Sequence, residues 1–331
     1  MQQFAKSASE VYAEFRLQKG AVMLTLFSIP KPFIGHVGVI QRNALRSWMR
    51  LGGGVQVLLL GDDPGVAEAA REEGADHFGK IEKTEFGTPL LSSAFSTAAR
   101  IAKHRLLCYV NADIMFTDEL IRAATSIRGR NFLMVGRRWN VDITEPWNFS
   151  DPQWHKKLLA YTRDRGTLYH DRAIDYFIFP RDSKLNRLPP FAVGRPRWDN
   201  YFLFRCRQLG YPLIEATSVV TAVHQNHDYA HVPKGTGQLW YGPEADANVK
   251  LLGDESRIFG MMDATHKLTE SGLQKTTGAE YSRRYRSTYL TLHPRRKALV
   301  KAVVSIKAVL RRIGVLPPIQ GPRVSETKES A

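Results

Sequence analysis

Short apolar runs stopped by Gly, Pro or acidic residues alternate, over the first 135 residues, with longer segments whose apolar positions recur at helical spacing. Residues 22–29 read as a buried strand that halts at Pro30-Lys31-Pro32. Residues 36–51 follow as a helix, with Val39, Ile40, Ala44, Leu45 and Trp48 on one side and Gly52-Gly53-Gly54 ending it. Residues 55–60 give a second buried strand closing in Gly61-Asp62-Asp63-Pro64, then a helix over 65–73. A helix over 89–103 leads into the strand 106–110. A further helix over 117–127, with Thr117 as its N-cap, precedes a short strand at 132–135. Strand, loop and helix in repetition predict an α/β fold. Its sheet is Rossmann-like, mostly parallel and doubly wound, with helices on both faces.

The second half is less regular. Residues 139–171 read as loops and a helix, and 173–179 as a strand carrying one charge, Asp175. A helix over 198–210 holds Asp199 and Asn200 in its first turn. Strands at 213–216 and 219–223 follow, the second running into His224-Gln225-Asn226-His227-Asp228. Lys234-Gly235-Thr236-Gly237 is a glycine-bearing loop, and Lys234 there is a candidate phosphate lid. The expected organisation is a helical extension over 1–20 and a catalytic domain over 21–260, divided into 21–135 and 136–260. A basic amphipathic helical segment over 261–316 and a disordered tail over 317–331 follow.

Composition narrows the picture. The chain has 331 residues and 43% hydrophobic content, enough for one large α/β core. Two cysteines are too few for a disulfide framework, which points to a reducing, cytoplasmic setting. No secretory leader pattern is evident at the start, and no apolar run reaches the ~18–20 residues that span a bilayer. The net charge of +15 is concentrated: 281–325 holds eleven Lys and Arg and no acidic residue. Within it, 295–314 places Leu299, Val303, Ile306, Leu310 and Ile313 at helical spacing beside Lys297, Lys301, Lys307 and Arg311. That pattern suits an anionic membrane surface, and equally a helix packed on its own domain. A nucleic-acid binder is disfavoured, because the charge is confined to the tail and no motif of that class is present.

Four strand ends or helix starts carry groups that are costly to bury: Asn111 and Asp113; Asp175; Asp199 and Asn200; and His224, His227 and Asp228. In open α/β sheets this edge binds ligands. Asn111 and Asp113, one residue apart, suit a hard cation such as Mg²⁺ or Mn²⁺. The spacing of His224, His227 and His231 also allows zinc, but no cysteine partner or His-Glu-x-x-His helix accompanies it. Gly-x-Gly-x-x-Gly and Gly-x-x-x-x-Gly-Lys-Ser/Thr are both missing, which disfavours a dinucleotide oxidoreductase and a P-loop enzyme.

These ordered strand ends resemble the GT-A nucleotide-diphosphosugar glycosyltransferases, family 2-like, over residues 21–230. Asn111-Ala112-Asp113 stands where that family has Asp-x-Asp, an amide replacing the first carboxylate. The resemblance implies that Asp113, with Asn111 and His224, holds Mn²⁺ or Mg²⁺ on the donor diphosphate. Asp199 would be the catalytic base. Phe27, Ser28, Pro30 and Asp62 would border the nucleotide, and Asp175, Trp198, Asn200 and His227 would contact sugar or acceptor. It further implies a saccharide or lipid-linked acceptor, of the kind used in cell-envelope polysaccharide synthesis, and an enzyme peripheral to the inner face of a membrane. Nucleotidyl transfer onto a sugar phosphate is the alternative chemistry, though Pro30-Lys31-Pro32-Phe33 matches its glycine-rich loop poorly.

Overall fold

The computed structural model describes residues 24–52, 54–227, 240–313 and 316. The expected helix over 1–20, Lys234 and the tail over 317–331 lie outside them. The chain divides into two compact units, Met1–Arg284 and Tyr285–Ala331.

In the first unit the strands are β1 (Leu24–Ser28), β2 (Val55–Leu60), β3 (Asp76–Phe78), β4 (Leu106–Val110), β5 (Ile114–Met115), β6 (Leu133–Val135), β7 (Arg138–Val141), β8 (Thr167–Leu168), β9 (Tyr176–Pro180), β10 (Leu213–Glu215), β11 (Ala222–Gln225), β12 (His266–Thr269) and β13 (Gly272–Lys275). The helices are α1 (Gly35–Met49), α2 (Val66–Glu73), α3 (Leu91–Ile101), α4 (Glu119–Ser126), α5 (Trp154–Arg165), α6 (Trp198–Gln208) and α7 (Pro243–Leu252). Helix α8 (Ala279–Leu292) crosses the unit boundary, and α9 (Pro294–Arg312) belongs to the second unit.

The main sheet has the order β13-β12-β10-β6-β9-β4-β1-β2-β3, and a smaller one the order β5-β11-β7-β8. Pairing in the main sheet is parallel except where β9 runs against β4 and β6, and β13 against β12. All five residues of β1, β4 and β9 are buried, as strands covered on both faces must be. Alternation sends Leu24, Leu26, Cys108 and Val110 into a cluster with Ala44, Leu45 and Trp48 of α1, Val66 and Ala69 of α2, and Leu120 of α4. Phe27, Tyr109, Phe177 and Phe179 turn the other way, onto Phe95 of α3 and Phe202 of α6. Helices thus cover both faces, as the sequence pattern predicts.

Several boundaries differ. Thr117 does not cap α4: Asp118 holds that position, and the Thr117 hydroxyl is buried without a partner among the described residues. The expected helical stretch beginning at 261 instead contains the β12–β13 hairpin, which extends the main sheet beyond β10. Residues 139–171 contribute β7 and β8 as well as a helix; these strands are too short for a clear period-two pattern.

Candidate active site

The chain leaves β4 in a tight turn. Ile114 N donates to Asn111 O at 3.2 Å, so β5 starts at once and Asp113 sits between the two strands. Strand β11 pairs antiparallel with β5, His224 opposite Ile114, and Gln225 N donates to Asp113 O at 3.2 Å. That register brings His224 Nε2 to 3.5 Å and His227 Nε2 to 3.2 Å from Asp113 Oδ2. One ligand atom from each of the three residues lies within 4.8 Å of the others. Asp113 Oδ1 and His224 Nδ1 are buried without a hydrogen-bond partner among the described residues. Burial favours a neutral Asp113, but the two imidazoles outweigh it and hold the carboxyl well below its ordinary range. A carboxylate and two imidazoles with an unfilled acceptor fit a divalent cation.

The cluster is braced from α1 and β11. Gln225 is fully buried; its Nε2 donates to Ile40 O at 2.8 Å and to Asp113 O at 3.1 Å, and its Oε1 accepts from Asn43 Nδ2 at 2.9 Å. Trp48 Nε1 donates to Ile114 O at 2.8 Å. Every polar atom of this brace is paired, so the turn has little freedom to shift.

Because β9 runs antiparallel to β4, its start lies at the same sheet edge as the end of β4, and Asn111 N donates to Asp175 O at 2.9 Å. Asp175 is 5% exposed and occupied: Asn111 Nδ2 donates to its Oδ1 at 2.6 Å, and Arg138 Nη1 lies 3.0 Å from both oxygens. Tyr169 stacks on the Arg138 guanidinium at 4.6 Å. The sequence offers Asp175 as a sugar contact; the structure instead makes it a buried, ion-paired support.

Asp199 opens α6 behind Arg197, whose φ of 83° makes it the one non-glycine residue in the left-handed region among those described. Such strain at a helix start is maintained only where surrounding contacts impose it. Burial, reinforced by the charge of Asp175 and opposed by the backbone amide of Asn200, pushes Asp199 up to about 6 from 3.8. Trp198, next to Asp199, packs on Tyr109 of β4 and Phe177 of β9, the two strands whose shared edge carries Asp113 and Asp175.

Five predicted contacts point inward instead. Trp198 is buried with its ring 5.3 Å from Tyr109 and 5.0 Å from Phe177, which leaves no face for a sugar. Asn200 commits its amide to Phe259 O at 2.9 Å. Phe27 and Ser28 are fully buried in β1, and Pro30 is buried after it. Asp62 is exposed beyond β2 and accepts a hydrogen bond from Lys83, which lowers its pKa. His227, expected at the acceptor, lies on Asp113 instead.

Three cations at this edge escaped sequence reading. Gln41 clamps Lys31 by its backbone, accepting from N at 2.7 Å and donating to O at 2.8 Å. Desolvation lowers the Lys31 pKa; Asp113 opposes that and Arg195 adds to it. Arg195 is held by Glu244 Oε2 at 2.7 Å through Nη2 and 3.0 Å through Nε, and Thr88 donates to the same oxygen at 3.0 Å. Arg138 is the third. Only Lys31 carried a sequence signal, its place between two prolines at a strand end. Elsewhere in the first unit, a groove of about 1310 Å³ is lined by Arg137, Trp139, Arg163, Glu215 and Lys267, and by none of the predicted site residues.

No family model and no curated protein matches this chain. Similar solved structures include Mycobacterium tuberculosis glucosyl-3-phosphoglycerate synthase in complex with Mg²⁺ and UDP. It is 13% identical, with a TM-score of 0.44 over 78% of this chain and 85% of that one. A Pyrobaculum calidifontis mannosyltransferase in complex with GDP-Man and Mn²⁺ is 15% identical, with a TM-score of 0.44 over 93% and 83%. With TM-scores below 0.5, these likenesses bear no weight beside the chain's own side chains.

Proposed function

We propose that this chain is a GT-A-type glycosyltransferase that moves a sugar from a nucleoside-diphosphate donor to an acceptor hydroxyl. The observation that carries the reading is Asp113 flanked by His224 and His227 at the C-terminal edge of the sheet. A divalent cation held there supplies positive charge against the donor diphosphate. Lys31 offers a cation at the same edge, where the leaving diphosphate gains negative charge, and Arg195 is positioned by its pair with Glu244. Asp199, ionised above about pH 6, takes the proton of the acceptor hydroxyl. The acceptor oxygen bonds to the sugar's anomeric carbon, and the bond from that carbon to the diphosphate oxygen breaks with its electron pair. The Asp175 carboxylate, paired to Arg138, lies beside Asp199 and adds to its raised basicity.

The acceptor in this reading is a saccharide or a lipid-linked acceptor, and α9 docks on an anionic membrane surface. Support for the docking lies in α9 itself: Leu299, Val303, Ile306 and Ile313 are exposed beside a basic face. No described helix is long and apolar enough to cross a membrane.

Thermal shift with UDP, GDP and their sugars, with and without Mn²⁺, tests the reading. A nucleotide at a hundredfold over its Kd adds about 2.7 kcal/mol of stability. The rise should require both nucleotide and cation, and Asp113→Ala should remove it. Absence of any nucleotide-dependent rise in the wild-type chain sinks the proposal.

A further inference from the structure

A second stretch of the sheet edge stands apart from the Asp113 cluster. Strands β6, β10 and β12 run parallel, and residues at their C-terminal ends line the groove of about 1310 Å³. Open α/β sheets bind ligands at that edge. The volume exceeds the ~300–1,000 Å³ of an ordinary small-molecule pocket. Arg137 leaves the end of β6 into this groove, while Arg138, the next residue, pairs with Asp175. The polar groups of the groove are fixed before any ligand arrives. Arg137 Nε donates to Tyr169 O at 2.6 Å, and its backbone N donates to Thr217 Oγ1 at 2.9 Å. Glu215 Oε1 accepts from Thr217 N at 2.7 Å, and Glu119 Oε2 accepts from Thr221 N at 3.0 Å. Each carboxylate thus holds the backbone with one oxygen and keeps the other. Trp139 packs against the cluster of Leu158 and Val223 and also lines the groove. The Thr276 hydroxyl, in the same lining, is buried without a hydrogen-bond partner among the described residues.

This lining disfavours an anion. Its carboxylates are no fewer than its cations, so a phosphate chain meets as much repulsion as attraction. It disfavours an apolar ligand too, because polar side chains outnumber apolar ones and would lose water without gaining partners. A neutral saccharide suits it. Sugar hydroxyls both donate and accept, which matches carboxylates, guanidinium groups and Ser and Thr hydroxyls set side by side. Ser218 already donates to Leu268 O at 2.9 Å, so its lone pairs are left to accept. The C–H face of a pyranose ring is apolar enough to pack on an indole. We propose that the groove binds a neutral oligosaccharide at a site separate from Asp113 and Asp199. Trp139 stacks on one ring, and Arg137, Glu119 and Glu215 take its hydroxyls. That the occupant is part of the acceptor chain rests on the glycosyltransferase reading; the binding itself does not.

Saturation-transfer difference NMR of the full chain, without nucleotide or metal, tests this against maltotetraose, cellotetraose, chitotetraose and mannotetraose. At least one of them should receive saturation, and its titration gives a Kd. Trp139→Ala should weaken that binding about tenfold, on the scale of a lost aromatic anchor. Trp139 also packs on a core cluster, so a second variant decides the matter should Trp139→Ala fold poorly. Thr277→Trp fills the groove from an exposed position and should abolish binding. Asp113→Ala should leave the Kd as it is in wild type. No saturation of any of these saccharides, or a Kd unchanged in either folded groove variant, overturns the proposal. Displacement of the saccharide by inorganic pyrophosphate overturns it as well, since the groove would then be an anion site. Binding lost in Asp113→Ala places the sugar at the transfer edge, which overturns the proposal and leaves the glycosyltransferase reading intact. Saccharide binding in the groove of a chain that binds no nucleotide does the reverse.

Discussion

Asp199 and Asp113 are both carboxylates partly buried at one sheet edge, yet their environments drive them apart. Two imidazoles hold Asp113 ionised, whereas burial and the nearby charge of Asp175 push Asp199 up to about 6. One suits a cation ligand and the other a base. The rate of sugar transfer, followed as kcat/KM, should fall as pH drops below about 6, because Asp199 must be ionised to accept a proton. Asp199→Asn should lower kcat by at least about a hundredfold, on the order of a lost general base, with nucleotide affinity little changed. The same shift has a stability consequence of definite sign. Folding favours the neutral acid, so the stability present below the ordinary value of 3.8 is lost as pH rises through about 6. Asp199→Asn should therefore melt higher than wild type at pH 8, and the gain should vanish near pH 4. A wild-type chain equally active at pH 5 and 8, or an Asp199→Asn variant that melts lower at pH 8, contradicts this account.

At the scale of elements, helix α1 organises the edge. Its buried polar residues Gln41, Asn43 and Ser47 face the loop after β1, β11 and the start of the segment after β5. Gln41 satisfies both backbone groups of Lys31, and its side chain is 3% exposed. Gln41→Leu keeps the volume and strands a backbone N–H and C=O. The expected cost is about 1–3 kcal/mol for each group left without water, read as a lower urea midpoint at unchanged slope. Nucleoside-diphosphate affinity should drop with it, since Lys31 loses its anchor. A midpoint within error of wild type would show that the clamp is not structural. Gln41, Asn43 and Ser47 lie outside the apolar stripe that the sequence pattern gives α1, yet they are buried and hydrogen-bonded, because α1 is covered on more than that stripe.

For the molecule as a whole, the division falls within α8, between Arg284 and Tyr285. Arg284 belongs to the first unit, its Nε donating to Asp263 Oδ1 at 2.8 Å. Removing 293–331 deletes α9 and keeps α8 whole. The truncated chain should bind nucleoside diphosphate as the full chain does and lose co-sedimentation with anionic vesicles, while neutral vesicles bind neither. Vesicle binding that survives the truncation places the membrane contact elsewhere.

The α/β class, the central strands β1, β2 and β4, and the position of Asp113 and His224 at strand ends were legible in the linear pattern. Buried parallel strands are short apolar runs, and groups costly to bury stand out where those runs stop. Cys108 and Cys206 are both buried core thiols that burial pushes up. What the sequence left open was direction. Trp198, Asn200 and Phe27 have the chemistry of ligand contacts but face the core, and Asp175 is spent on Arg138 and Asn111. His227 joins Asp113 only because β11 pairs antiparallel with β5, a register fixed by contacts more than a hundred residues apart. Local pattern determines which residues are expensive to bury; pairing between distant strands decides which of them meet, because each residue's facing depends on partners that its neighbours in sequence do not specify.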